Sequence, residues 1–295
     1  MPEPRAKSRM LYSYRRDPSA ILGSLILLVF ILAALLAPWI TPQDPYDLTT
    51  LSLDHFLKPP IWIKGGESPF LLGTDDQGRD ILSTIVYGCR TSLIVGFGVV
   101  LLAGTFGVLI GLLAGYYGRW LDVFTMRLAD TFFSFSTTLM AFLLLGIFKQ
   151  GGVVVVIIAI CIADWVRYAR TMRGSVLEVK EEAYIMAAKA SGAGDVRLLF
   201  RHLLPNAIPP IFVVVAVDLA VVIMLEATLS FLGVGVPLTE PSLGMMIAIG
   251  KNYIYAGMWW MIVFPGAALI LLVVGINLFA DWLREELNPR IERRA

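Results

Sequence analysis

Long apolar runs alternate with shorter polar segments along most of this chain. A helix that crosses a bilayer needs about 20 consecutive apolar residues, and four windows of roughly that length contain no charged residue. They lie between Asp17 and Asp44, Arg90 and Arg119, Asp130 and Lys149, and Lys251 and Asp281. Two more apolar runs carry acidic residues, namely Gly151 to Tyr168 with Asp164 and Ile208 to Gly235 with Asp218 and Glu226. The pattern predicts an all-α membrane protein with six transmembrane helices.

The composition supports this class and limits the chemistry. Hydrophobic residues make up 57 % of the chain, charged residues 16 %, and the mean hydropathy is +0.75, which is typical of integral membrane proteins. Cys89 and Cys161 are too few and too scattered for a disulfide framework or a structural zinc site. The nearest approach to a phosphate loop, Gly244 to Asn252, has the wrong glycine spacing. We therefore expect neither an enzyme active site nor a bound cofactor in this chain.

The distribution of Lys and Arg predicts the orientation, because basic residues near short loops stay on the cytoplasmic side. They concentrate in the N-terminal tail, in the link after the fourth span and in the C-terminal tail. These residues are Arg5, Lys7, Arg9, Arg15 and Arg16, then Arg167, Arg170, Arg173, Lys180, Lys189, Arg197 and Arg201, then Arg284, Arg290, Arg293 and Arg294. We predict a cytoplasmic tail at 1–19, a first span at 20–38, an extracytoplasmic loop at 39–88, a core at 89–284 with a cytoplasmic loop at 169–205, and a cytoplasmic tail at 285–295.

One polar segment (residues 178–205) stands out between the fourth and fifth spans. Good helix formers from Val176 to Ala190 predict one helix, the Ser-Gly-Ala-Gly stretch at 191–194 predicts an elbow, and Asp195 is a natural N-cap for a second helix that Pro205 ends. Small residues leave little side-chain bulk there, so the groove of a partner protein can approach closely. The alternative is a plain connector whose alanines reflect only helix propensity.

The polar segment resembles the EAA loop of ABC-importer permeases, which docks onto the ATPase subunits. Ala187-Ala188, Gly192 after three intervening residues and the sequence from His202 to Pro205 have the spacing of that motif, although Met186 stands at its glutamate position. The resemblance implies that this segment couples the permease to ATPases. The residues assigned to that role are Glu182, Ala183, Met186, Ala187, Ala188, Ala190, Gly192, Asp195 and Pro205.

Two further blocks narrow the resemblance to one branch of the family. Gly73 to Leu93 and Leu229 to Gly244 look like the blocks that mark permeases of the dipeptide, oligopeptide and nickel type. The outer loop of about 50 residues after the first span is similar to that of the second permease subunit in such importers. The resemblance implies a type I ABC-importer permease fold in the plasma membrane of a bacterium or archaeon.

The partners follow from the same resemblance. It implies pairing with a second permease subunit, two ATPase subunits that bind ATP and Mg²⁺, and an extracytoplasmic solute-binding protein that delivers dipeptides or oligopeptides. The lipid bilayer surrounds the chain, and no nucleic-acid partner is expected. The alternatives are a nickel importer of the same family, an ion-coupled secondary transporter and a membrane scaffold.

Two acidic residues in the fifth span are candidates for the transport pathway. Asp218 and Glu226 are eight residues apart and therefore lie on one helix face. Acidic groups at membrane depth usually face the interior or a water-filled cavity, so both could line the pathway. Alternatively, Asp218 pairs with a neighbouring polar group and Glu226 lies at the outer interface. In the second span Gly107, Gly111 and Gly115 form small-residue steps that predict close helix packing, against either the partner permease or a helix of this chain.

Overall fold

The computed structural model describes residues 12–46, 55–148, 152–237 and 239–287, and these residues form helices and no strand. The all-α prediction is confirmed. Arg5, Lys7, Arg9, Arg290, Arg293 and Arg294, and with them most of both predicted tails, lie outside the described residues. The helices are α1 (Pro18–Leu35), α2 (Ile81–Tyr117), α3 (Arg119–Phe133), α4 (Thr137–Phe148), α5 (Val153–Lys180), α6 (Ala183–Ala190), α7 (Pro209–Phe231), α8 (Leu243–Gly250) and α9 (Trp260–Glu286), with a short turn of helix at Ala37–Ile40.

Length and apolar composition account for five of the six predicted spans. Four described helices, α1, α2, α7 and α9, are long and apolar enough to cross a membrane, and α3 with α4 makes a fifth if the pair is one span. The sixth candidate, α5, has 28 residues and a length of about 42 Å. Asp164, Arg167 and Arg170 fall within its first 18 residues, so it has the length of a span without the apolar composition.

The third predicted span is broken rather than straight. Helix α3 ends at Phe133, α4 begins at Thr137, and the two meet at 87°. Hydroxyl-bearing residues fill this region, and the Oγ of Ser134 donates to the carbonyl of Asp130 at 2.8 Å. Such side chains compete with the backbone for hydrogen bonds and favour a break. A charge-free window alone therefore did not reveal this bend.

The glycines of α2 face α5 of the same chain. A Cβ on Gly107 would lie 2.5 Å from the carbonyl oxygen of Trp165, and one on Gly111 would lie 2.3 Å from that of Ala169. A Cβ on Gly115 would lie 2.8 Å from the Cγ1 of Val176. The two backbones approach so closely only because these positions carry no side chain. This contact decides the alternative that the sequence left open for the glycine steps.

The polar segment differs from its predicted helices in three ways. Helix α5 runs on to Lys180, which lies inside the predicted loop 169–205, and the break falls at residues 181–182, so a continuous helix from Val176 to Ala190 is wrong. Pro205 does not end the second helix. It occupies the first turn of Leu204–Ala207, where the missing N–H is no loss, after a π-helical stretch at Leu198–Leu203.

The predicted elbow at 191–194 is confirmed, but its cap is not. Gly192 adopts a φ of +81°, a left-handed conformation that glycine tolerates best. Gly194 is the N-cap residue of the short helix Asp195–Arg197, and Asp195 is the first residue inside it. The carboxylate of Asp195 is used elsewhere, in a contact with another helix.

Helix α2 also begins earlier than its charge-free window indicated. It starts at Ile81, within the predicted loop 39–88, because Asp80 caps it by accepting from the backbone N–H of Ser83 at 2.8 Å. The preceding turn is closed by a buried ion pair between Arg79 Nε and Asp75 Oδ2 at 2.7 Å. Burial raises the pKa of the Asp80 carboxyl and also that of Asp76.

Candidate functional site

The polar segment has a buried apolar side and an exposed one. Ile185, Leu199 and Leu203 are buried in the same core cluster as Val176 of α5, so the segment is anchored to α5 by packing. Four large apolar side chains face away from the core. Their exposed fractions are 45 % for Tyr184, 58 % for Met186, 71 % for Val196 and 51 % for Phe200. Exposed apolar groups clustered on a rigid, short segment are typical of a docking surface.

The residues assigned to coupling lie on this exposed surface with one exception. Ala188 is half-buried, and the others are exposed: Glu182, Ala183, Met186, Ala187, Ala190, Gly192, Asp195 and Pro205. A Cβ placed on Gly192 or Gly194 would meet nothing within 4 Å. The elbow therefore presents bare backbone to its surroundings. A coupling role for these residues stays a prediction.

The sequence did not reveal two tethers that join the polar segment to α2. The hydroxyl of Tyr116 donates to Asp195 Oδ1 at 2.7 Å, and Lys180 Nζ donates to the carbonyl oxygen of Tyr116 at 2.9 Å. The start of the segment and its elbow are thus both attached to the end of α2. No local pattern marks these partners, because they are 79 and 64 residues apart in the chain.

Replacing Tyr116 by phenylalanine is expected to loosen the elbow. The variant loses one exposed hydrogen bond to a carboxylate, worth about 1 kcal/mol, so amide hydrogen exchange at residues 191–197 should become about fivefold faster. Tyr117→Phe is the matched control. The Tyr117 ring packs edge-on against Tyr116, and among the described residues its hydroxyl has no hydrogen-bond partner. Equal exchange rates in the two variants would contradict the tether.

Three arginines spaced three residues apart on α5 link this helix to its neighbours. Arg173 forms a bidentate pair with Asp122 of α3, with Nη2 at 2.6 Å from Oδ2, and Arg170 Nη2 lies 2.7 Å from Asp130 Oδ1. Arg167 Nη1 pairs with Asp218 Oδ1 of α7. The spacing of three places the arginines along one side of α5. Charged contacts as well as packing therefore join α5 to α3 and α7.

The two acidic residues of α7 are both fully buried and have polar partners. Asp218 accepts from Arg167 and, at 2.7 Å, from the hydroxyl of Tyr168. Glu226 accepts from Ser92 of α2 and from Ser230, each at 2.8 Å. For Asp218 this is the pairing with polar neighbours that the sequence left open, whereas Glu226 is buried between helices and does not lie at an outer interface. Neither carboxylate lies at an open surface in this conformation, and a pathway-lining role for them stays a prediction.

The two sequence blocks that mark the branch meet in space. Gly88 of the first block approaches Leu243 of the last so closely that a Cβ on it would lie 3.2 Å from the Leu243 backbone nitrogen. Ile81, Ile85 and Cys89 share one core cluster with Leu243 and Met246. The blocks therefore build a single packing unit between α2, α8 and α9.

Comparison with known protein families assigns the chain. Residues 107–293 match the model of the binding-protein-dependent transport system inner membrane component, and residues 8–60 match the N-terminal transmembrane domain of oligopeptide transport permease C. The chain belongs to this family of importer permeases. The permease is thus a transport component of a binding-protein-dependent ABC importer, as the EAA-like spacing and the two blocks indicated.

Curated relatives cover nearly the whole permease. It is 35 % identical over 96 % of its length to a dipeptide transport system permease of Haemophilus influenzae, of which 94 % is covered. It is 36 % identical over 96 % of its length to a di/tripeptide transport system permease of Pseudomonas aeruginosa, of which 92 % is covered. An oligopeptide transport system permease of Bacillus subtilis is 34 % identical over 95 % of this chain and 88 % of its own.

Solved structures show the same fold at lower identity. The MetNI methionine ABC transporter in an inward-facing conformation matches with a TM-score of 0.53 and 21 % identity, over 70 % of this chain and 96 % of that one. An amino acid ABC transporter with histidines matches with a TM-score of 0.54 and 15 % identity, over 72 % and 95 %. These matches confirm the fold of an ABC-transporter permease.

Proposed function

We propose that this permease forms half of a heterodimeric pathway for dipeptides or oligopeptides and is driven by two ATPases that dock on the polar segment. The observation that carries the proposal is the exposed apolar surface of that segment, which is anchored by Ile185, Leu199 and Leu203 and is almost free of bulk at its elbow. A groove in a partner can enclose such a surface at small entropic cost, because the segment is already ordered.

The anchoring explains how a docked motor would move the permease. ATP and Mg²⁺ bind on the ATPases, whose closure shifts the polar segment. Its packing on α5 and its tethers to α2 carry that shift into the two most closely packed helices of the chain. Through the pair of Arg167 with Asp218 the displacement reaches α7. Two alternative packings of these helices, biased by nucleotide, then provide access from either side.

The orientation completes the proposal. Basic residues around the polar segment favour the cytoplasmic side for it and for both termini. The loop that precedes α2 and ends at Asp80 then faces outward, where a solute-binding protein delivers its cargo. The described part of this loop is ordered by the buried pair of Arg79 with Asp75, which gives the delivery protein a defined surface.

Peptides are favoured as the cargo because the relatives that cover most of the chain are named as dipeptide, tripeptide and oligopeptide permeases. The match of residues 8–60 to the oligopeptide permease domain supports the same class. A nickel importer of this family is the second candidate. The solute that the importer's own delivery protein binds distinguishes a peptide importer from a nickel importer.

Reconstitution tests the proposal directly. Proteoliposomes that contain this chain, its second permease, the ATPases and the delivery protein are expected to accumulate labelled alanyl-alanine only with ATP present. Omission of the delivery protein or of ATP should reduce uptake to background. Uptake by this chain alone, driven by a proton or sodium gradient, would instead identify an ion-coupled secondary transporter and refute the importer.

A further inference from the structure

Two cavities on either side of the break between α3 and α4 share part of their walls. One, of about 240 Å³, is bounded by Phe132 and Ser136, and the other, of about 250 Å³, by Thr138 and Thr228. Thr137, Asp164 and Arg167 line both. Each volume is below the roughly 300 Å³ at which sites for drug-sized ligands begin, and thus suits the end group of a small solute.

The carboxylate of Asp164 is buried in the wall that the two cavities share, and one of its oxygens accepts no hydrogen bond. Asp164 is 4 % exposed, its Oδ1 lies 3.4 Å from Arg167 Nη2, and its Oδ2 has no hydrogen-bond donor among the described residues, while the Asp218 carboxyl group is its other close polar neighbour. A buried polar atom without a partner costs free energy, so native proteins retain it mainly where a ligand or water completes it. Asp218, by contrast, has two partners.

The charges around the cavities do not balance. Arg167 contacts both Asp164 and Asp218, so one guanidinium serves two carboxylates and the group carries one net negative charge when all are ionised. The next pair along α5, Arg170 with Asp130, is neutral by itself. A net negative group with an open acceptor favours a cation over an anion or a neutral solute.

The broken helix pair supports a ligand at the same place. Irregular backbone within a membrane segment is tolerated where it is enclosed by protein or lines a water-filled cavity. In several transporters interrupted helices form the substrate site. Residues 134–136 interrupt α3 and α4 next to the first cavity, and Ser136 and Thr137 belong to its wall. The break and the open carboxylate thus meet at one site.

We propose that Asp164 binds the ammonium group of the transported solute, with Arg167 holding the carboxylate in position from its place between Asp164 and Asp218. The identification of that solute as a peptide with a free amino terminus rests on the proposed function. The preference for a cationic group rests on the geometry alone.

Charge-selective labelling in the complete importer tests this site. Cys89→Ala and Cys161→Ser remove the native thiols, and Thr138→Cys introduces a reporter in the cavity wall. A trimethylammonium methanethiosulfonate should react about tenfold faster than its sulfonate analogue after correction for their rates in solution. Because the two reagents carry opposite charges, that ratio corresponds to one unit charge about 6 Å away at an effective dielectric constant of about 80.

Two comparisons assign the preference to Asp164. Asp164→Asn should bring the two rates within about twofold of each other. Asp122→Asn removes a carboxylate of α3 that pairs with Arg173, farther along α5, and should leave the tenfold ratio intact. Alanyl-alanine should slow labelling and its N-acetyl derivative should not. Thr137→Cys, in the wall of both cavities, serves as the second reporter if the first variant fails to assemble.

The outcomes separate this site from the proposed function. Equal rates for the two reagents, a ratio unchanged by Asp164→Asn, or equal protection by both peptides would overturn the ammonium site. Charge preference and peptide protection in a complex that shows no ATP-driven uptake would keep the site and reject the importer mechanism.

Discussion

Replacing Ala187 by tryptophan is expected to reduce ATP-driven uptake at least about 100-fold while the chain still inserts into the membrane. Ala187 is exposed on α6, so in the permease alone the larger side chain can point into solvent. In the assembled importer it would enter the groove of the ATPase, where overpacking of an interface costs about 3 kcal/mol, and every 1.4 kcal/mol corresponds to a factor of ten. Uptake into proteoliposomes and co-purification of the ATPases measure the effect.

Ala187→Ser is the matched control for this prediction. Serine is nearly as small and should keep uptake within about twofold of the unchanged protein. Met186→Glu is informative beside it, because it places the residue typical of the EAA motif at an exposed position and should be tolerated. Full transport by the tryptophan variant would show that the polar segment docks on nothing at this position.

Replacing Gly111 by alanine should destabilise the permease by about 3 kcal/mol, the upper end of the usual cost of overpacking. The new methyl group would lie 2.3 Å from the carbonyl oxygen of Ala169 and 2.9 Å from the Cβ of Met172. Because these contacts involve backbone, α2 and α5 have to move apart. A clear fall in the melting temperature of the purified protein in detergent, together with a lower yield, is the expected result.

Gly146→Ala provides the comparison on another apolar helix. A Cβ at Gly146 in α4 meets nothing within 4 Å, and alanine is the better helix former by up to about 1 kcal/mol. Its melting temperature should therefore stay the same or rise. If Gly111→Ala melted like Gly146→Ala, the close approach of α2 and α5 would be wrong.

The polar segment illustrates how far local sequence reasoning reaches. Its elbow was predictable because glycine at a break between helix formers is a local signal, and Gly192 does adopt a left-handed conformation. The exact helix ends were not, since the break falls at Glu181 and Glu182, and glutamate is no helix breaker. Asp195 has the residue type of an N-cap, and no local signal shows that its carboxylate instead accepts from Tyr116 on a distant helix.

The acidic residues show the same division. Sequence placed Asp218 and Glu226 on one face of a span and left two interpretations, because the identity of a buried partner depends on which helices pack together. Only the structure brings Arg167 and Tyr168 to the first and Ser92 to the second. Counting charges along the sequence likewise did not predict the unpaired Oδ2 of Asp164 or the bend beside it.

Local features of the amino-acid sequence were enough to predict the helical membrane class, most of the spans, the permease family and the elbow of the polar segment. Hydropathy, breaker residues and motif spacing are properties of neighbouring residues, so they can be read along the chain. Only the packed fold shows which helix the glycines of α2 contact and which charges pair. Those features arise from contacts between residues dozens of positions apart, and the free energy of such contacts depends on helix packing that no local pattern encodes.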